Sequence, residues 1–112
     1  MKHEIIGKTV EVTMDRPIGA RHPKHPEVVY PINYGYIAGL MGGDGEEQDV
    51  YVLGPGEPLA TFRGRVIAVI ERADDVEEKW VASDGTREYT PEEIARAVQF
   101  QEQFHESTVY TE

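Results

Sequence analysis

Polar and apolar residues alternate over residues 8–14, Lys-Thr-Val-Glu-Val-Thr-Met. That spacing puts Val10, Val12 and Met14 on one face of a half-buried strand. Pro17, Pro23, Pro26 and Pro31, with Gly19, make the following segment an irregular loop. Residues 32–37 read as a short strand, and Gly39, Gly42, Gly43 and Gly45 mark a turn region behind it. Asp49 to Leu53 reads as a strand ended by Gly54-Pro55-Gly56. Residues 61–72 form a longer strand whose centre, Val66 to Ile70, is apolar enough for burial on both faces. Glu77 to Ser83 is its expected hairpin partner, with Asp75 and Val76 near the turn, and Asp84-Gly85 is another turn.

The last periodic segment changes character. Thr90-Pro91-Glu92-Glu93 combines an N-cap threonine, proline at the first helical position and glutamate three residues after the cap. Ile94, Ala97, Val98, Gln101, Phe104 and His105 then share one face, which predicts a helix of roughly four turns docked on a sheet. The tail from Glu106 is polar and is free to fray or to pair with a neighbour. Several short strands and one amphipathic helix predict a mainly β (α+β) domain spanning residues 1–112. A small OB-like barrel is one solution, because closure removes exposed edges. An open sheet satisfies the same periodicity.

Composition narrows the function classes. With 39% hydrophobic residues in 112, the chain can build one modest core and is not disordered. It has no cysteine, hence no disulfide, thiolate metal site or thiol nucleophile, and a cytoplasmic location is expected. The first residues lack an apolar core of the signal-peptide kind, and no stretch approaches the ~20 apolar residues that span a bilayer. The balance of 21 acidic against 11 basic residues, net −10, argues against nucleic acid and anionic membrane as partners.

Eight of the 21 acidic residues fall in two blocks, Asp44-Gly-Glu-Glu-Gln-Asp49 and Asp74-Asp-Val-Glu-Glu78. Carboxylates this close repel one another by roughly a kcal/mol per pair in water. Two readings remain open: solvated turns, or a site for a hard divalent cation. An EF-hand loop is excluded, because its sixth position requires glycine and Asp49 stands there.

Ahead of the first block lies Tyr30-Pro-Ile-Asn-Tyr-Gly-Tyr-Ile37. Its phenols could donate to phosphate oxygens or simply pack in a core. Together with Asp44-Gly-Glu-Glu-Gln-Asp-Val50, this block resembles the soluble, magnesium-dependent family I inorganic pyrophosphatases. Asp74-Asp75 and Lys79-Trp-Val-Ala82 resemble that family's later acidic pair and lysine-containing strand. The resemblance covers roughly residues 8–104. It implies a five-stranded OB-like barrel, pyrophosphate as substrate and Mg²⁺ as cofactor, with Mn²⁺ as the substitute. Carried over, it makes Asp44, Asp49, Asp74 and Glu78 metal ligands, with Asp75 adjacent. Asp49 is the central catalytic carboxylate, and Glu46 receives the proton of the attacking water. Tyr34 and Lys79 contact phosphate. In the shortened early segment, Asp15 stands in for a carboxylate and Arg21 or Arg16 for a cation. The family's Tyr-Lys pair after the helix falls at Phe104-His105, which leaves His105 as either a phosphate contact or a core histidine. Glu46 is one methylene longer than the family's aspartate, and Gln48 replaces an apolar residue. These departures keep an alternative open: a catalytically weak relative that binds a phosphorylated ligand or a protein. Bacterial-type members assemble into oligomers, so self-association is part of what the resemblance implies.

Overall fold

A computed structural model describes residues 3–43, 45–74 and 77–112. Six strands and one helix follow in the order β1 (Thr9–Arg16), β2 (Asn33–Met41), β3 (Glu47–Leu53), β4 (Thr61–Arg72), β5 (Glu78–Ser83), α1 (Pro91–Glu102) and β6 (Ser107–Tyr110). β1 pairs antiparallel with β2 and with the first part of β4, Thr61 to Arg65. β2 pairs antiparallel with β3, β3 runs parallel to β5, and β5 pairs antiparallel with β4. The ring β1-β2-β3-β5-β4 therefore closes on itself into a five-stranded barrel, the expected solution to the edge problem.

β2, β3, β4 and β5 serve two cores, and β1 serves the inner one. Val12, Val50, Val52 and Ala82 fill the interior, with Val10, Met14, Ile37, Phe62 and Trp80 around them. Tyr34, Tyr51, Leu53, Ala68, Ile70 and Val81 face outward and pack under Ile94 and Val98 of α1. Burying Ile94 and Val98 is worth roughly 1.5–3 kcal/mol each. The helix begins as its sequence predicts: Thr90 Oγ1 accepts from the Glu93 amide at 3.1 Å, and Glu93 Oε1 accepts from the Thr90 amide at 2.9 Å.

One expectation needs correction, and of the two courses open to the tail the structure takes pairing. The helix has 12 residues, about three turns and not four, ending at Glu102. Phe104 and His105 lie in the tighter turn beyond it, where the His105 amide bonds Glu102 O at 2.9 Å. The polar tail does not fray. β1 covers only residues 61–65 of its edge of β4, and β6 takes up the rest, pairing Ser107 to Tyr110 with Arg72 to Val69. Among the described residues, no helix is long and apolar enough to cross a membrane.

Candidate active site

A cleft of about 530 Å³ opens on the outer face of the barrel, at the C-terminal end of α1. β1 contributes Asp15 and Arg16, β2 Tyr34, β3 Asp49, β4 Arg72, and β5 with its approach Lys79 and Glu77. Ordinary strand alternation puts only every second residue on that face. Two bulges supply the rest. The β1–β2 register shifts between Met14 and Arg16, so the extra residue Asp15 lines the cleft beside Arg16. The β4–β5 register shifts between Val66 and Ala68, which turns Ala68, Ile70 and Arg72 to the helix side. Gly35 permits the crossing of β1 and β2: a Cβ there would lie 2.1 Å from the Thr13 carbonyl oxygen.

Lys79 is the hub. It is 4% exposed, and its Nζ donates to Asp49 Oδ2 at 2.5 Å and Glu77 Oε2 at 2.9 Å, 5.7 Å from the Tyr34 ring centre. Burial alone would depress its ammonium, but the Tyr34 phenol and the Asp49 carboxylate reverse this and hold it above the ordinary lysine value. Burial likewise pushes the Tyr34 hydroxyl up, so it stays protonated as a donor. Burial, with Asp49 nearby, raises the Asp15 carboxyl against the opposing pull of Arg16.

A second, deeper pair supports the floor. Arg72 holds Glu102 with two hydrogen bonds, 3.1 Å from Nε and 2.8 Å from a terminal nitrogen, and lies 3.6 Å from Glu77. Tyr51 donates to Glu102 at 2.5 Å, Gln101 donates to Tyr51 at 2.8 Å, and Ser107 and Tyr30 bond Glu102 and Gln101 in turn. Burial works against the Glu102 carboxylate, yet the bonds from Arg72, Ser107 and Tyr51 bring it below the ordinary glutamate value. Over this floor the loop between β1 and β2 lays an aromatic rim: His25 stacks on Phe104 with centroids 3.8 Å apart, and His22 packs against both.

The structure brings together Asp15, Tyr34, Asp49, Lys79 and His105 of the residues singled out from sequence. Asp44 and Asp75 lie outside the described residues. Asp74 sits at the rim, 60% exposed, 3.2 Å from His105 Nδ1. Glu46 is exposed in the turn before β3 and does not line the cleft. Arg21 is spent on its own loop, donating to Pro26 O at 2.9 Å, and Arg16 takes the place in the cleft. Glu78 lies away from the cleft. It alternates with Lys79 on β5 and points the other way, into a half-buried group with His3 and Glu71 whose donor atoms lie within 4.8 Å. Glu77 faces the cleft instead, a placement readable from its two-residue spacing to Lys79. Gln48 is accommodated as a satisfied amide, donating to Glu78 O at 2.8 Å and Asp49 O at 3.1 Å. Arg72 and Glu102 were not legible, because their partnership spans 30 residues and depends on the β4 bulge.

Among the described residues, the cleft thus sets three carboxylates, Asp15, Asp49 and Glu77, against four fixed cations, Arg16, Lys24, Arg72 and Lys79. Hard oxygen donors of this kind fit Mg²⁺ and not a thiophilic metal. The cations fit a multiply charged oxyanion. Comparisons with known proteins agree with this chemistry. The model of the inorganic pyrophosphatase family matches residues 1–107. The inorganic pyrophosphatase of Corynebacterium glutamicum is 32% identical over 76 residues, 66% of this chain; the match spans 44% of that relative's length, under half. Two solved inorganic pyrophosphatases share the fold at 16% identity. That from Ehrlichia chaffeensis has a TM-score of 0.72, covering 95% of this chain and 87% of its own. That from Coxiella burnetii has 0.64, covering 95% and 86%. The chain belongs to the inorganic pyrophosphatase family.

Proposed function

We propose that this protein hydrolyses inorganic pyrophosphate to two phosphates with Mg²⁺, in the cleft around Lys79. The observation that carries this reading is the meeting of Asp15, Asp49 and Glu77 with Arg16, Arg72 and Lys79 in one cavity. Asp49, Asp15 and Glu77 would hold the metal, joined by Asp44 on the strength of the family resemblance. When bound, Mg²⁺ supplies charge neutralisation for the phosphates and a lowered pKa for water.

The chain's own groups do the remainder. Lys79 and Arg16 bind phosphate oxygens, and Tyr34 donates without adding charge. The oxygen of water bonds to one phosphorus, the bridging P–O bond breaks, and its electron pair leaves with the departing phosphate. The proton of water passes to a carboxylate of the cleft. Arg72, anchored by Glu102, is held in place and so loses little entropy when phosphate arrives. A cysteine-free chain acting on a metabolite in the cytoplasm is consistent with this reading.

The test is phosphate release from pyrophosphate by the purified chain, with and without Mg²⁺ or Mn²⁺. Metal-dependent turnover is expected, and its absence with both metals overturns the proposal. One observation favours a weaker relative that binds without turnover: Phe104 is stacked under His25 and offers phosphate no donor. Calorimetric binding of pyrophosphate without release would establish that reading instead.

A further inference from the structure

A second hollow, about 780 Å³ and larger than the cleft, lies on the same outer face at the other end of α1. Its floor is β4 and β5, and its wall is the Ser83 to Tyr89 turn that leads into the helix cap. Arg63 and Arg65, two apart on β4, face one side, with Arg65 opposite Ser83 in register. Between them Gly64 is set by packing on the protein side of the strand. A Cβ there would meet the Phe62 ring at 2.4 Å and Ser83 O at 2.6 Å. From the wall comes Arg87, whose guanidinium lies 4.1 Å over the Tyr89 ring.

These three arginines are only loosely held by acids. The Arg63–Glu11 contact is 3.2 Å between side chains 71% and 75% exposed, and Arg87–Glu93 is 3.5 Å with Arg87 54% exposed. Exposed pairs of this kind are worth at most about 1 kcal/mol and yield to a better acceptor. Arg65 has no ion pair among the described residues. Two exposed carboxylates, Asp84 and Glu88, also line the hollow, and Asp84 is turned onto its own loop, accepting from the Thr86 amide at 3.1 Å and its hydroxyl at 2.8 Å. In a chain of net charge −10, three of the 11 basic residues share this one hollow, and none of them takes part in the cleft. Guanidinium groups carried by β4 and by the Ser83 to Tyr89 turn, one of them stacked on Tyr89, are donors of the kind that hold a phosphate group. The hollow is too small and the protein too acidic for a nucleic acid chain.

We infer that the hollow formed by Arg63, Arg65 and Arg87 binds a small phosphorylated anion, separately from the cleft. The source is either a free inorganic phosphate chain or the phosphates of a nucleoside. Titration calorimetry on the full chain in the presence of a metal chelator, with inorganic pyrophosphate and ADP in separate arms, tests it. Saturable binding of at least one is expected. The Arg65→Ala/Arg87→Ala variant should weaken it at least about tenfold, while Arg96→Ala, an exposed helix arginine that lines neither the hollow nor the cleft, leaves it within about twofold. Should the alanine pair fail to fold, Arg65→Lys/Arg87→Lys keeps the charge and removes the fork, and at least about threefold weakening is expected. Pyrophosphate alone, or ADP alone, identifies the source. No binding of either, or binding kept in the variants of Arg65 and Arg87, overturns the inference. Neither result depends on whether the cleft turns over pyrophosphate.

Discussion

The two faces of the same barrel strands have opposite chemistry. Inside, Val12, Val50, Val52 and Ala82 make an apolar plug, and among the described residues the Trp80 indole nitrogen is buried without a hydrogen-bond partner. Outside, one residue along on each strand, Tyr51, Lys79 and Asp49 enter a continuous network with Arg72, Gln101 and Glu102. The inner face offers only burial, which is non-directional and tolerant of swaps of equal volume. The outer face places charges and fixed donors, which cost desolvation and are retained only when their partners are complete. Strand alternation therefore lets one short sheet separate the part that holds the fold from the part suited to chemistry, and the two bulges choose which residues cross over.

Breaking the outer network should do the most damage to stability. Arg72→Met strands Glu102 as a buried unpaired carboxylate and should cost about 3–5 kcal/mol in urea denaturation, whereas Arg72→Met/Glu102→Gln should recover much of it. On the inner face Val52→Ala should cost about 2 kcal/mol, through lost burial and a small cavity, and leave the cleft unchanged. Removing the helix cap with Thr90→Ala should cost about 1 kcal/mol.

A smaller effect separates the faces by pH. The folded-state pKa of Glu102 lies below its ordinary value of 4.5. Its contribution is thus fully present above that value and is lost as pH falls through the folded one, since the unfolded chain then binds the extra proton. Stability measured from pH 5 downward should fall less steeply in Glu102→Gln, whereas Val52→Ala should keep the parent slope.

Much of the fold was legible because its signals are local. The Thr90-Pro91-Glu93 cap, the alternation of Val10, Val12 and Met14, and the long apolar centre of β4 all reappear as read. β6 was not, because a polar tetrapeptide becomes a strand only where β1 leaves part of β4 uncovered. The candidate site divides in the same way. Asp49, Tyr34 and Lys79 sit in regular strands with recognisable neighbours. The placement of Asp15 and Arg72 depends on bulges that leave no mark in composition. Arg21 and Arg16 could not be told apart by charge; a carbonyl five residues on decides, by holding Arg21 in its own loop.

The claim that chemistry resides on the outer face is tested most directly by comparing kcat/KM for pyrophosphate in Asp49→Asn and Glu78→Gln. Both remove one negative charge, and the two positions lie on opposite faces of the barrel wall. Asp49→Asn is expected to lose about 10²–10³-fold and Glu78→Gln to stay within about threefold of the parent. Equal losses, or a greater loss in Glu78→Gln, would contradict the account.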